Sequence, residues 1–144
     1  MEYFPAPLTL EESRAFLKRL QDHFEEHGLT YYAVDLLDSE KNIGFIGLAY
    51  KDFESDFTPA VDMGYRLKKA YWGKGYCTEG AQRCVEYGFN DLNLDRIIAF
   101  FVEGNVKSEN VMKRIGMEKI KHFNHPKYKN DPAFEKCVLY EIKP

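Results

Sequence analysis

Six consecutive apolar residues, Ile97-Ile98-Ala99-Phe100-Phe101-Val102, constrain this chain more than any other stretch. An apolar run without polar alternation suits a strand covered on both faces, at the centre of a layered sheet. Upstream, residues 60–67 read as another strand, and residues 78–92 carry Ala81, Cys84, Val85 and Phe89 on one helical face. A strand, a crossover helix and a second buried strand make a βαβ unit with parallel neighbours. The rear half of the chain is therefore held to layered α/β architecture.

The front half reads differently. Thr9 and Glu12 form a T-x-x-E capping box, Gly28 supplies a stop, and Phe16, Leu17, Leu20 and Phe24 recur between them at helical spacing. Residues 31–37 and 43–50 are strand-like runs joined by the polar stretch 38–42, which predicts a hairpin. With 60–67 they form an antiparallel meander. Beyond the apolar run, Asn105 opens a short helix through Met112 to Ile115, stopped by Gly116, and extended segments follow at 117–123 and 134–142. The fold class is α/β with a mixed sheet, an antiparallel meander followed by a βαβ unit. Its 144 residues fit one domain, 1–144.

Composition narrows the function classes. Apolar residues make up 44% and charged residues 30%, a globular balance. A net charge of −3 gives no global attraction to nucleic acid and leans slightly toward a cationic substrate. No 18-residue apolar run suggests a membrane span. Cys77, Cys84 and Cys137 are odd in number and show no ligand spacing with the four histidines, so no metal site is expected. The opening residues, Met1-Glu2-Tyr3-Phe4-Pro5, lack the basic and apolar regions of a secretory leader, which points to reduced thiols and a cytoplasmic setting.

The feature that carries chemistry is the turn Trp72-Gly73-Lys74-Gly75-Tyr76, between a strand and a helix. A helix N-terminus leaves its first N–H groups unpaired and favours negative charge. Glycines before it let the backbone approach a phosphate, and Lys74 adds a positive charge, so the expected ligand is a diphosphate or similar anion. The spacing fits neither a P-loop nor a dinucleotide fingerprint, since Thr78 stands where the third glycine would be. A plain tight loop remains the alternative on the turn alone.

The turn does not stand alone. Asp62-Met63-Gly64-Tyr65-Arg66-Leu67, then Tyr71 through Gly80, then Asn105-x-x-Ser108-x-x-Val111-Met112-x-x-Ile115-Gly116-Met117, with His125-Pro126 and Val138-Leu139-Tyr140, occur in one order along the chain. This pattern resembles the GNAT N-acetyltransferase superfamily, particularly its branch of ribosomal-protein N-terminal acetyltransferases and their small-molecule relatives. The resemblance implies a splayed central sheet and acetyl-CoA as acyl donor. It implies that Trp72, Gly73, Lys74, Gly75, Tyr76, Cys77 and Thr78 surround the pyrophosphate, with Thr78 at the helix start. It further implies that the backbone of Tyr65 to Leu67 pairs with the pantetheine arm, and that Asn105 and Ser108 flank that arm. Capping is the other reading of Asn105 and Ser108.

For catalysis the resemblance offers Asp62 as base and Ser108 as the proton donor to the leaving thiolate. The plain alternative for Asp62 is a solvated or salt-bridged strand residue, and for His125 a loop residue. Where many relatives carry a tyrosine acid, this chain has Met112. A covalent route through Cys77 has no assignable His partner. Relatives also begin with a strand and helix ahead of Tyr3; without them an exposed sheet edge favours a homodimer. The expected activity is acetyl transfer from acetyl-CoA to a primary amine of a protein N-terminus or small molecule in a ternary complex. A non-catalytic CoA-binding module is the alternative.

Overall fold

The computed structural model describes residues 10–36, 39 and 41–144. Eleven elements follow in order: α1 (Leu10–His27), β1 (Tyr31–Asp35), β2 (Asn42–Lys51), β3 (Ala60–Leu67), a 3₁₀ turn (Lys69–Tyr71), α2 (Tyr76–Asn90), β4 (Ile97–Val102), α3 (Val106–Arg114), β5 (Glu118–Asn124), a second 3₁₀ turn (Pro126–Tyr128) and β6 (Lys136–Ile142). The strands form one six-stranded sheet in the order β1-β2-β3-β4-β6-β5. Both expected halves are present: an antiparallel meander over β1–β3, and a β3-α2-β4 unit with parallel strands. The tail strands complete the sheet, with β6 inserted antiparallel between β4 and β5.

Several boundaries differ from the sequence reading. Helix α2 starts at Tyr76, two residues before Thr78, because Gly75 takes a left-handed conformation (φ 82°) and turns the chain directly into the helix. It ends at Asn90 rather than Leu92. Strand β5 lies one residue later than the extended run at 117–123, and β6 starts two residues later than the run at 134–142 and ends with it at Ile142. Gly28 (φ 76°) closes α1 and Gly116 (φ 91°) follows α3, both in the stopping role expected of them. Strand β1 ends at Asp35, short of the expected run to Leu37, while the capping box at Thr9, Leu37 itself and part of the hairpin loop lie outside the described residues.

The sheet separates two layers, and the alternation along β4 shows how. Ile97 and Ala99 pack with Ala81 and Val85 of α2 and Val111 and Met112 of α3 in the main core. Ile98 faces the other way, into a cluster with Phe57, Ala60 and Leu139 flanked by Phe53, Phe100 and Phe123. This two-sided burial is what a run without polar alternation demands. Helix α2 comes close to the sheet because Gly88 has no side chain: a Cβ there would lie 2.7 Å from Ile97 Cδ1.

Helix α1 is held more lightly, and none of its residues is buried. Phe16 meets Phe45 with ring centroids 5.5 Å apart, Thr30 Oγ1 donates to Leu20 O at 2.9 Å, and Tyr50 N–H donates to His23 Nε2 at 2.9 Å.

The pairing that matters most for function is the weakest in the sheet. Strands β3 and β4 share a single bridge, Asp62 with Ile98, and then diverge. Ile98 is fully buried at that point. Ile98→Ala should cost about 2–5 kcal/mol by the usual measure of deleted core methyl groups, read as a lower urea midpoint at unchanged m-value.

Candidate functional site

Beyond the Asp62–Ile98 bridge, β3 keeps its partner β2 on one side, while its other edge from Met63 to Leu67 carries no pairing with β4. Two cavities open along that gap. One, of about 330 Å³, lies under the start of α2 and is lined by Leu67, Trp72, Gly73, Gly75, Tyr76, Cys77 and Thr78. The other, of about 560 Å³, holds Asp62, Tyr31, Lys51 and His125. Tyr65, Arg66, Asn105 and Ser108 line both, so the cavities meet there.

The first cavity has the features an anion requires. Gly73 (φ 75°) and Gly75 (φ 82°) both take left-handed backbone, and a Cβ built on either would meet nothing within 4 Å. The first helical bond of α2 runs from Glu79 N–H to Gly75 O at 3.0 Å. The N–H groups of Tyr76, Cys77 and Thr78 therefore have no acceptor within the helix. Among the described residues, Thr78 Oγ1 is the buried side-chain polar atom left without a partner. A diphosphate at the glycine turn suits these groups.

Trp72 braces the turn: its indole N–H donates to Leu67 O at 2.9 Å, and Lys107 Nζ of α3 stands 4.1 Å from the ring centroid. Lys74 is exposed, its Nζ 5.7 Å from the Tyr71 ring centroid. Lys107 and Arg114 also line the cavity and add positive charge that the sequence reading missed. Both sit in the ordinary polar pattern of α3 and become relevant only because the helix packs beside the turn.

Asn105 does cap α3, accepting Ser108 N–H on Oδ1 at 3.2 Å. That leaves the Ser108 hydroxyl for another contact. Tyr65 crosses from β3 and donates its O–H to Ser108 Oγ at 2.9 Å. Burial pushes the Tyr65 phenol up to about 12. Met112 is 1% exposed and belongs to the core.

Asp62 departs from the solvated or salt-bridged alternative. It is buried at 5% exposure, and Tyr31 O–H donates to both its oxygens, at 2.9 and 3.2 Å. Tyr31 reaches it across two strands, since Tyr31, Gly47 and Gly64 form one cross-strand row. A Cβ on Gly64 would lie 2.8 Å from Tyr31 Oη, so only glycine lets the ring pass. Burial pushes the Asp62 carboxyl up to about 6, against the opposing pull of Lys51 and the Tyr31 hydrogen bond. Burial also pushes the Cys77 thiol up to about 11, which leaves little thiolate for covalent chemistry.

His125 is the loop residue expected, at the N-cap of the second 3₁₀ turn, and it is buried, at 9% exposure. Its Nδ1 accepts Lys127 N–H at 3.1 Å and its ring lies 4.6 Å from Phe53 and 5.5 Å from Phe100. The neighbouring rings of Phe123 and Tyr128 lie against it as well, but the nearest, Phe53, comes from a distant segment that the local sequence does not signal.

The Asp62 carboxyl generates a stability signature. An unfolded carboxyl ionises near 3.8 and the folded one near 6, so the native state holds the proton more tightly and loses stability as pH rises between those values. Asp62→Asn should abolish that loss, gaining about 3 kcal/mol on the parent between pH 4 and 7, read from urea unfolding at each pH.

Comparisons with known proteins agree with this geometry. The profile of the acetyltransferase (GNAT) domain matches residues 1–118. The chain is 37% identical over 140 residues to an uncharacterized N-acetyltransferase of Bacillus subtilis, YnaD, covering 96% of this chain and 71% of that protein. A GNAT-family acetyltransferase structure from Bacillus anthracis superposes with a TM-score of 0.76 at 26% identity, over 94% of this chain and 75% of that one. The ribosomal-protein-S5-alanine acetyltransferase of Vibrio fischeri does so with a TM-score of 0.78 at 25% identity, over 99% and 78% of the two chains.

Proposed function

This chain belongs to the GNAT acetyltransferase family, and from that premise we propose that it transfers an acetyl group from acetyl-CoA directly to a primary amine. The observation that carries the proposal is the parting of β3 from β4 after one bridge, with an anion-suited cavity on one side of Tyr65 and Ser108 and a carboxylate cavity on the other.

In this reading the N–H groups of Gly75, Tyr76, Cys77 and Thr78, with the Thr78 hydroxyl, hold the pyrophosphate at the start of α2. Lys74, Lys107 and Arg114 offset its charge. The edge of β3 over Tyr65 to Leu67 offers backbone groups to the amides of the pantetheine arm, as an added strand would. Asn105 and Ser108 close the arm in from α3.

Asp62 takes the proton from the incoming amine. Its place beside the gap and its value of about 6 leave it ionised at neutral pH yet basic enough to accept. The new C–N bond forms as the C–S bond breaks. As Ser108 passes its hydrogen to the departing thiolate, the Tyr65 hydroxyl that donates to Ser108 Oγ replaces it, and the phenol regains its proton from solvent. Holding both partners at the gap supplies the rest of the acceleration through proximity.

Acetyl-CoA at about 100 times its Kd should stabilise the protein by about 2.7 kcal/mol, visible as a raised Tm. Gly75→Trp should lose that response, with its own unliganded Tm as the reference for any backbone strain. In steady-state assays, kcat/KM should fall as pH drops through about 6, because a protonated Asp62 cannot accept. Asp62→Asn should lower kcat by about 10²–10⁴ while leaving acetyl-CoA affinity intact. A raised Tm with no turnover on any amine would instead identify a CoA-binding module without catalysis.

A further inference from the structure

The Asp62 cavity has a composition that selects among amines. Its walls are largely aromatic, with Phe53, Phe100, Tyr128 and Phe134 on the side of His125. Its volume of about 560 Å³ is that of a small-molecule site. Among the described residues lining it, Asp62 is the one carboxylate, and it is already engaged by Tyr31.

The other charged groups lining it, Lys51, Arg66 and Lys127, are cations, while Asn105, Ser108 and the tyrosine hydroxyls can both donate and accept. Because His125 Nδ1 accepts Lys127 N–H, the neutral imidazole carries its hydrogen on Nε2. Burial lowers the basicity of that ring, and the nearby charges of Lys127 and Lys51 lower it further, so both ammonium groups bear on the same imidazole. Lys51 Nζ stands 5.5 Å from the Tyr31 ring centroid and also acts on Asp62. Lys127 Nζ stands 5.5 Å from the Tyr128 ring centroid. Two lysines and a neutral N–H donor thus border an aromatic chamber with a single acid. A polyamine would bring ammonium groups toward Lys51 and Lys127 with no spare carboxylate to receive them. The chain's overall charge of −3 does not describe this chamber.

We propose that the acceptor is a small primary amine with an aromatic or apolar body and a carboxylate, its anionic end held by Lys51, Lys127 and His125 while its amine faces Asp62. This rests on the transferase reading for the identity of the chamber. In outline the reaction is unchanged: the amine nitrogen bonds to the acetyl carbon, the thiolate leaves protonated, and the carboxylate takes no part beyond holding the molecule.

The experiment uses acceptors sharing one body: phenylalanine, its amide and phenethylamine, with spermidine and a hexapeptide of neutral side chains beside them. Binding is measured by calorimetry in the presence of CoA, and turnover by thiol release from acetyl-CoA. Phenylalanine should exceed its amide and spermidine by about tenfold or more in both affinity and kcat/KM, as loss of a charge-assisted contact implies. Lys127→Glu, which leaves the CoA cavity untouched, should erase or reverse that ratio with unchanged CoA affinity. Equal or better binding of the amide, spermidine or the peptide would overturn the proposal, as would an unaltered ratio in Lys127→Glu. If phenylalanine binds preferentially yet nothing turns over, the transferase reading fails and the chamber assignment stands.

Discussion

The single bridge between Asp62 and Ile98 is the constraint on which the other features of this site depend. Parallel strands joined through a crossover helix ordinarily pair along their length. Here β3 and β4 touch once and separate, so the edge of β3 from Met63 to Leu67 faces a gap instead of a neighbour. Unpaired backbone in a protein interior costs free energy unless something else bonds it. The two core clusters on opposite faces hold the strands firmly at the bridge, through Ile97 and Ile98, and leave their far ends apart. The fold therefore keeps an open strand edge beside the start of α2 and the start of α3.

The same bridge sets the environment of Asp62. A carboxylate this deep is costly unless it is bonded, and Tyr31 meets that need from the first strand of the meander. The contact exists because Gly64 leaves room for the ring; burial raises the carboxyl's basicity and the Tyr31 hydrogen bond moderates that rise. Lys51 at the end of β2 supplies the opposing electrostatic pull. Three strands of the antiparallel half thus converge on one carboxyl, which explains why the meander, and not only the βαβ unit, belongs to the site.

Much of this was legible in the sequence where the signal is local. The strand at 60–67 was read to the residue, because apolar residues and the following turn residues delimit it. The cap at Asn105 and the stops at Gly28 and Gly116 follow from short-range hydrogen bonding and left-handed backbone. The glycine turn stood out because its chemistry is backbone chemistry. The missed features are tertiary. Tyr31 and Asp62 are 31 residues apart and meet only through cross-strand register. The burial of His125 depends on Phe53 and Phe100, which arrive from a loop and from β4. Lys107 and Arg114 look like surface residues of a helix until that helix is packed beside Trp72.

Met112 and Tyr65 stand on the two walls of the gap in very different settings. A methionine at 1% exposure, locked in the core, has no proton to give. On the opposite wall Tyr65 extends a phenol across the gap to Ser108. The hydroxyl pair is thus built from both walls, the phenol from β3 and the serine from α3. Tyr65 belongs to the strand whose free edge faces the gap, so the backbone edge and the hydroxyl pair are positioned by the same strand. The pair stands at Tyr65 and Ser108, two of the residues that line both cavities, so it marks the point where they meet.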